Sequence, residues 1–168
     1  MREIVLDTET TGLEPSQGHR IIEIGCLELN NRTPTGAKYH VYINPQRDVP
    51  EDAQKISNLS TEFLQDKPLF ADIVDGFIIG GAMAYTFLKA QNVAVGKSLV
   101  EADKLNYARE MIARVEARNK TLLLPVDHIV ATAFTDTNGE VVKDLTIPNE
   151  KMGLDIGPES LRRFTKAI

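Results

Sequence analysis

The chain has a single cysteine, Cys26, in 168 residues. No intramolecular disulfide is possible, and a reducing cytoplasm is the expected compartment. It also lacks a basic-then-apolar leader with a cleavage site, and its apolar stretches are interrupted well short of a membrane span. The expectation is a protein that is neither secreted nor membrane-bound. Excess positive charge is missing too: the net charge of −5 argues against holding nucleic acid on a broad cationic surface. The acidity is uneven, with 7 Lys+Arg against 13 Asp+Glu in residues 1–77 and 12 against 11 in residues 78–168. No internal repeat, heptad, low-complexity tract or Gly/Ser- or Pro-rich linker is visible, so two modules here would be fused without a hinge. What remains is a composition of 42% hydrophobic and 26% charged residues, as in ordinary globular domains, and a length sufficient for a core.

The apolar run Ile4-Val5-Leu6 leads into Asp7-Thr8-Glu9-Thr10-Thr11-Gly12. Residues two apart in a strand share a face, so Asp7 and Glu9 project side by side and Thr8 points away. The run is expected to bury the strand, with the carboxylates at its polar end and a Thr-Thr-Gly turn offering backbone N–H groups to a phosphate or terminal nucleotide. Paired carboxylates suit hard divalent cations, Mg²⁺ or Mn²⁺, and two such ions can clamp a phosphodiester in hydrolysis. Asp7 and Glu9 are therefore the candidate metal ligands and catalytic residues.

The pattern predicts strands over Arg2–Thr8, Arg20–Leu29 and Lys38–Ile43, with turn residues between Asn30 and Gly36, connected as a hairpin meander. Ser60 opens a helix-like stretch, followed by Phe70, Ile73, Val74 and Phe77 at helical spacing. Then come a strand at Phe77-Ile78-Ile79, a helix over Met83–Gln91 and a longer one over Val100–Asn119. Its apolar positions are Leu105, Ala108, Met111, Ile112 and Val115, and Asn119 is its C-terminal cap. A buried strand over Thr121–Val126 follows, with Ile129–Ala133 extending the apolar run. Strands alternating with helices imply parallel pairing. The expected fold is α/β, with one mixed sheet running from an antiparallel three-strand meander into parallel βα units.

Two family resemblances lie on this pattern. Asp7-Thr8-Glu9-Thr10-Thr11-Gly12, Gly18-His19-Arg20-Ile21-Ile22-Glu23-Ile24-Gly25 and His40-Val41-Tyr42-Ile43-Asn44-Pro45 closely resemble the epsilon proofreading subunit of bacterial replicative DNA polymerase. Pro50-Glu51-Asp52-Ala53 and Glu62-Phe63-Leu64-Gln65-Asp66-Lys67-Pro68 carry this likeness to about Phe77. The hexapeptide looks like the first motif of the DEDD-type 3′–5′ exonucleases, which implies a ribonuclease H-like start and a single-stranded DNA 3′ end or nucleoside monophosphate as ligand. It also implies a polymerase subunit as partner and substrate contacts from Thr8, Thr10, Thr11 and Asp52. The family's histidine five residues after that acid is Ser57 here, and the glycine after it is Asn58. Its second motif, His-Asn-x-x-Phe-Asp, and its third, which brings the catalytic histidine, are both missing.

From residue 78 the likeness changes. Gly80-Gly81-Ala82-Met83-Ala84-Tyr85-Thr86-Phe87-Leu88-Lys89-Ala90-Gln91 is similar to the C-terminal, nucleotide-binding domain of phosphoglycerate kinase. So are Val95-Gly96-Lys97-Ser98-Leu99-Val100-Glu101, Leu123-Leu124-Pro125-Val126-Asp127 and Met152-Gly153-Leu154-Asp155-Ile156-Gly157-Pro158. This implies nucleotide contacts at Gly80, Gly81 and Gly157 and ADP or ATP as ligand, although Ala82 replaces a third glycine and Lys151 a tryptophan. The fragment omits the kinase's Gly-Gly-Ala-Lys and Trp-Asn-Gly-Pro segments and its phosphoglycerate-binding domain, so kinase activity is not expected.

The chain thus reads as a chimera of 1–77 and 78–168, expected to form one compact unit. The leading expectation is an impaired metal-dependent exonuclease-like protein, against an inactive structural chimera and a partial ADP/ATP-binding module. Asp127-His128, with Asp103 and Asp155, is the best source of substitute catalytic groups. Arg162-Arg163 with Lys166 is read as complementing a helix C-terminus.

Overall fold

The computed structural model describes residues 1–136 and 138–168. The chain divides into two compact units, Met1–Val74 and Asp75–Ile168. In the N-terminal unit, β1 (Arg2–Thr10), β2 (Ile21–Asn30) and β3 (Thr33–Tyr42) form an antiparallel meander in the order β1-β2-β3. The turn is the two residues Asn31 and Arg32, with φ of 49° and 64°, a pair of left-handed residues whose twist matches the flanking strands. Pro34 and Gly36, expected in the turn, instead lie inside β3.

Three short helices follow: α1 (Glu51–Ser57), α2 (Thr61–Leu64) and α3 (Phe70–Ile73). Ser60 caps α2 by accepting the Phe63 N–H at 3.1 Å. Asn58, where the epsilon pattern has glycine, takes φ 59° at the end of α1, a conformation that asparagine tolerates best among residues with a side chain. The core of this unit is Ile22, Val49, Leu59 and Leu64, with Tyr42 and Ala53 packed against it. It lies at one end of the sheet.

The apolar run of β1 is not buried, contrary to expectation: Ile4, Val5 and Leu6 are 49%, 51% and 61% exposed. Alternation sends Ile4 and Leu6 to one face and Val5 to the other. Helices of 7, 4 and 4 residues reach only the end of the sheet near Ile22.

The C-terminal unit starts with β4 (Gly76–Ile78), α4 (Gly81–Ala90), α5 (Leu105–Ala117) and β5 (Thr121–Leu123). The strands β4 and β5 pair in parallel, as the βα pattern predicts. Then come β6 (His128–Ala131), β7 (Glu140–Val142), β8 (Met152–Ile156) and α6 (Pro158–Ala167). These strands form an antiparallel sheet in the order β7-β6-β8. The α/β class and the meander are as expected, while hydrogen bonding distributes the strands over three sheets rather than one. The core consists of Tyr85, Leu88, Val95, Val130 and Ile147, with Val93, Val100, Leu124, Val142 and Leu145 against it. Among the described residues no helix is long and apolar enough to cross a membrane.

Candidate functional site

The register of the meander places the motif. Asp7 is opposite Gly25, which is opposite His40, and Glu9 is opposite Glu23, which is opposite Tyr42. Side chains of paired residues share a face, so Asp7, Glu9, Glu23 and His40 lie on the same side of the sheet, with Gly25 leaving a gap between Asp7 and His40. His40 Nε2 and Glu23 Oε1 are 2.5 Å apart. Asp7 is exposed, and its Oδ1 accepts the outward N–H of Thr8 at 3.0 Å on the free edge of β1.

Glu23 and His40 lie in the epsilon-like motifs, but nothing in the sequence alone joins them to Asp7 and Glu9. The signal for them was strand register: that of β1 with β2 for Glu23, and that of β2 with β3, closed by the Asn31-Arg32 turn, for His40.

The Thr-Thr-Gly segment differs from expectation. The Thr11 N–H is not offered to a ligand but donates to Arg20 O at 2.9 Å. The Thr11 hydroxyl, 1% exposed as a residue, accepts the Arg20 N–H at 3.0 Å and shares a hydrogen bond with His19 Nδ1 at 3.1 Å. Thr10 Oγ1 donates to Gly12 O at 2.9 Å. Both hydroxyls are thereby committed to holding the turn.

A Cβ on Gly12 would fall 2.5 Å from the His19 ring, at a φ of +157°. Gly12→Ala is expected to displace His19 and destabilise the N-terminal unit by about 1–2 kcal/mol. Urea denaturation of the full chain checks it; an unshifted midpoint would mean that His19 swings away freely.

Asp52 lies in the first turn of α1, its side chain 95% exposed, with Lys55 Nζ at 3.5 Å. Ser57 Oγ donates to Ala53 O at 2.8 Å and accepts from Leu59 N at 3.2 Å, a role in ending the helix. Among the described residues no group of three His, Cys, Asp or Glu side chains is placed to hold a metal ion. Mg²⁺ needs near-octahedral oxygen ligation, and two-metal chemistry needs two such centres. The donors at Asp7 and Glu9 do not by themselves fit that requirement.

The expected nucleotide contacts occupy two turns of the C-terminal unit. Gly80 is the N-cap of α4, Gly81 has φ +60° with open space around it, and Gly157 is the N-cap of α6. A Cβ on Gly80 would meet Ile156 Cγ2 at 3.7 Å, so the β4–α4 and β8–α6 turns adjoin.

Asp127 and His128 are both removed from catalysis by their surroundings. Asp127 is 4% exposed, and its carboxylate accepts the Glu159 N–H at 2.9 Å, the Ser160 N–H at 2.7 Å and the Ser160 hydroxyl at 2.5 Å. It caps α6. Burial raises its pKa, but these hydrogen bonds and the neighbouring His128 outweigh that and hold the carboxyl below its ordinary range. His128 is fully buried, and burial lowers its pKa.

Arg162 and Arg163, read as complements to a helix C-terminus, instead both bind Glu159 in the first turn of α6, at 2.8 and 2.9 Å. Hydrogen bonds from Arg162 and Arg163 pull the Glu159 carboxyl down to about 2.

Comparison with known proteins matches the phosphoglycerate kinase family to residues 65–168. Phosphoglycerate kinase of Bdellovibrio bacteriovorus is 61% identical over 98 residues, 58% of this chain and 24% of the relative. The solved phosphoglycerate kinase of Coxiella burnetii superposes with a TM-score of 0.54 at 37% identity, over 57% of this chain and 25% of that one. DNA polymerase III subunit epsilon of Rickettsia felis is 42% identical over 130 residues, 77% of this chain and 54% of the relative. The chain thus spans about a quarter of its kinase relatives and about half of its epsilon relatives. The kinase match begins at residue 65, ahead of the boundary between the units at Val74 and of the kinase-like motifs from Ile78. The chain belongs to the phosphoglycerate kinase family through residues 65–168 and carries a chimeric resemblance to DNA polymerase III epsilon subunits.

Proposed function

We propose that this chain is a cytoplasmic, metal-dependent 3′–5′ exonuclease-like protein that keeps only the first catalytic motif and is strongly impaired in cleavage. The observation carrying this is the placement of Asp7 and Glu9 on one face of β1, Asp7 exposed, with no third donor among the described residues grouped to complete a metal site. A weak Mg²⁺ or Mn²⁺ contact at the two carboxylates, with a single-stranded DNA 3′ end or a nucleoside monophosphate beside it, is the ligand set this supports. The epsilon relatives are named as subunits of DNA polymerase III, so a polymerase partner belongs to the same proposal.

The test is release of 3′-terminal nucleotides from labelled single-stranded DNA in Mn²⁺, comparing the native chain with Asp7→Ala. Slow release by the native chain, falling to background in the variant, is expected. Equal background release by both sinks the exonuclease reading and leaves an inactive chimera.

A second reading rests on the meeting of the Gly80-Gly81 and Gly157 turns in a chain of the kinase family. Those turns form a partial ADP/ATP-binding module. A rise in Tm with millimolar ADP supports it, and an unmoved Tm counts against it.

A further inference from the structure

His128 opens β6, is 0% exposed and belongs to no step of the proposed chemistry. Its Nε2 donates to Leu145 O at 3.1 Å, across from β6 to the β7–β8 connection. That bond places the imidazole lone pair on Nδ1, and Nδ1 has no hydrogen-bond partner among the described residues. The ring lies 5.7 Å from that of Tyr85, and both Tyr85 and Leu145 belong to the apolar cluster of the C-terminal unit. An orphaned acceptor in a core is tolerable, whereas an orphaned charged donor in the same place is far more costly.

We propose that His128 is an acid-operated latch: a proton arriving at Nδ1 leaves the Nε2–H bond to Leu145 O in place but puts into the core a charged donor with no partner among the described residues, and the C-terminal unit opens to let it reach water. Burial keeps the pKa of the ring below its ordinary value, outweighing the Leu145 carbonyl and the Asp127 carboxylate, which both favour the charge. From α4 comes Tyr85, whose phenol burial, aided by the Asp155 charge, pushes up to about 12, so it stays neutral. Asp127 precedes His128 in the chain, but its carboxylate is engaged by the α6 N–H groups and Ser160. On β8, Asp155 is opposite Ile129 and exposed, and its Oδ1 accepts the Ile156 N–H. On β7, Val142 is opposite His128; Glu140 pairs instead with Lys151, and Lys143, just beyond the strand, is a cation that repels a second one.

With the folded pKa depressed by burial, the unfolded chain binds a proton that the folded chain does not in the interval below about 6.5. Stability of the C-terminal unit therefore falls as pH falls through that value, and the loss ends at the folded pKa. The other two histidines, His19 and His40, belong to the N-terminal unit and are not buried.

The test is amide hydrogen exchange on the full chain, read by peptide and corrected for intrinsic rates, at about pH 7.5 and about pH 5.5. Protection in residues 75–168 is expected to drop roughly tenfold while residues 1–74 hold theirs. In His128→Gln, whose amide can still donate to Leu145 O without titrating, the drop disappears. Equal losses in both chains, or no loss in the native one, overturn the latch. Should the variant fail to fold, imidazole NMR of the native chain decides: the Nε2–H tautomer must persist while the unit is folded, and reversible titration of His128 near 6.5 in an intact unit refutes it.

Discussion

Replacing Asp127 by alanine is expected to remove about 3 kcal/mol from the C-terminal unit. One buried carboxylate accepts two backbone N–H groups at the start of α6 and the Ser160 hydroxyl, while that hydroxyl also accepts the Val126 N–H at 2.8 Å. Loss of an N-cap costs about 1–2 kcal/mol. The larger part comes from what is left behind: Ser160 is 0% exposed, so its N–H stays dry when its acceptor goes, at about 1–3 kcal/mol for a stranded group, while its hydroxyl can turn to the backbone carbonyl of residue 127 at 3.2 Å. Asp127→Asn keeps one acceptor oxygen and should fall between the native chain and the alanine variant. Urea denaturation gives the three values, and a loss under about 0.5 kcal/mol for the alanine would mean that water enters to replace the carboxylate.

The pH dependence separates this residue from His128. The folded Asp127 carboxyl is held below its unfolded value, so its contribution is fully present above about pH 3.9 and disappears as pH falls through the folded pKa. The His128 contribution changes below about pH 6.5. Asp127→Ala should therefore flatten the acid limb and leave the upper step in place.

What the sequence made legible was whatever local periodicity encodes. The apolar run Ile4-Val5-Leu6 and the spacing of Leu105, Ala108, Ile112 and Val115 marked β1 and α5, although α5 begins only at Leu105 because residues Ala102–Lys104 form a tighter 3-10 turn. Pairing is not local. The alternating strands and helices after Phe77 implied parallel partners, which β4 and β5 are, but nothing in the run from His128 onward announces that β6 lies antiparallel between β7 and β8. Burial is not local either: Ile4-Val5-Leu6 is apolar, yet exposed for want of elements to cover it.

The candidate site divides the same way. Period two placed Asp7 and Glu9 on one face, whereas Glu23 joins them only through the β1–β2 register and His40 only through the β2–β3 register that the Asn31-Arg32 turn closes. Asp127 was chemically plausible as a substitute acid because its partners, Glu159 and Ser160, are more than thirty positions away and reach it only in the fold.

Gly157→Ala is expected to cost about 2 kcal/mol in the native chain and close to nothing once Asp127 is alanine. Gly157 has φ −80° and ψ 174°, values open to any residue, so its backbone does not demand glycine. Space does. A Cβ there would fall 2.3 Å from Asp127 Cγ and 2.4 Å from Oδ2, inside the carboxylate that caps α6. That group cannot retreat without releasing Ser160 and Glu159, and the Gly157 N–H is itself bound to Asp127 O at 2.9 Å. Overpacking of this kind typically costs about 1–3 kcal/mol. Removing the carboxylate first removes the collision, so the two substitutions should be non-additive by about 1–2 kcal/mol in a double-mutant cycle. The cycle also bears on the nucleotide-binding reading, because it gives Gly157 a reason to be glycine that involves no ligand. Full additivity, or an unchanged stability in Gly157→Ala together with loss of ADP-dependent thermal stabilisation, would return the glycine to the nucleotide and reject the steric account.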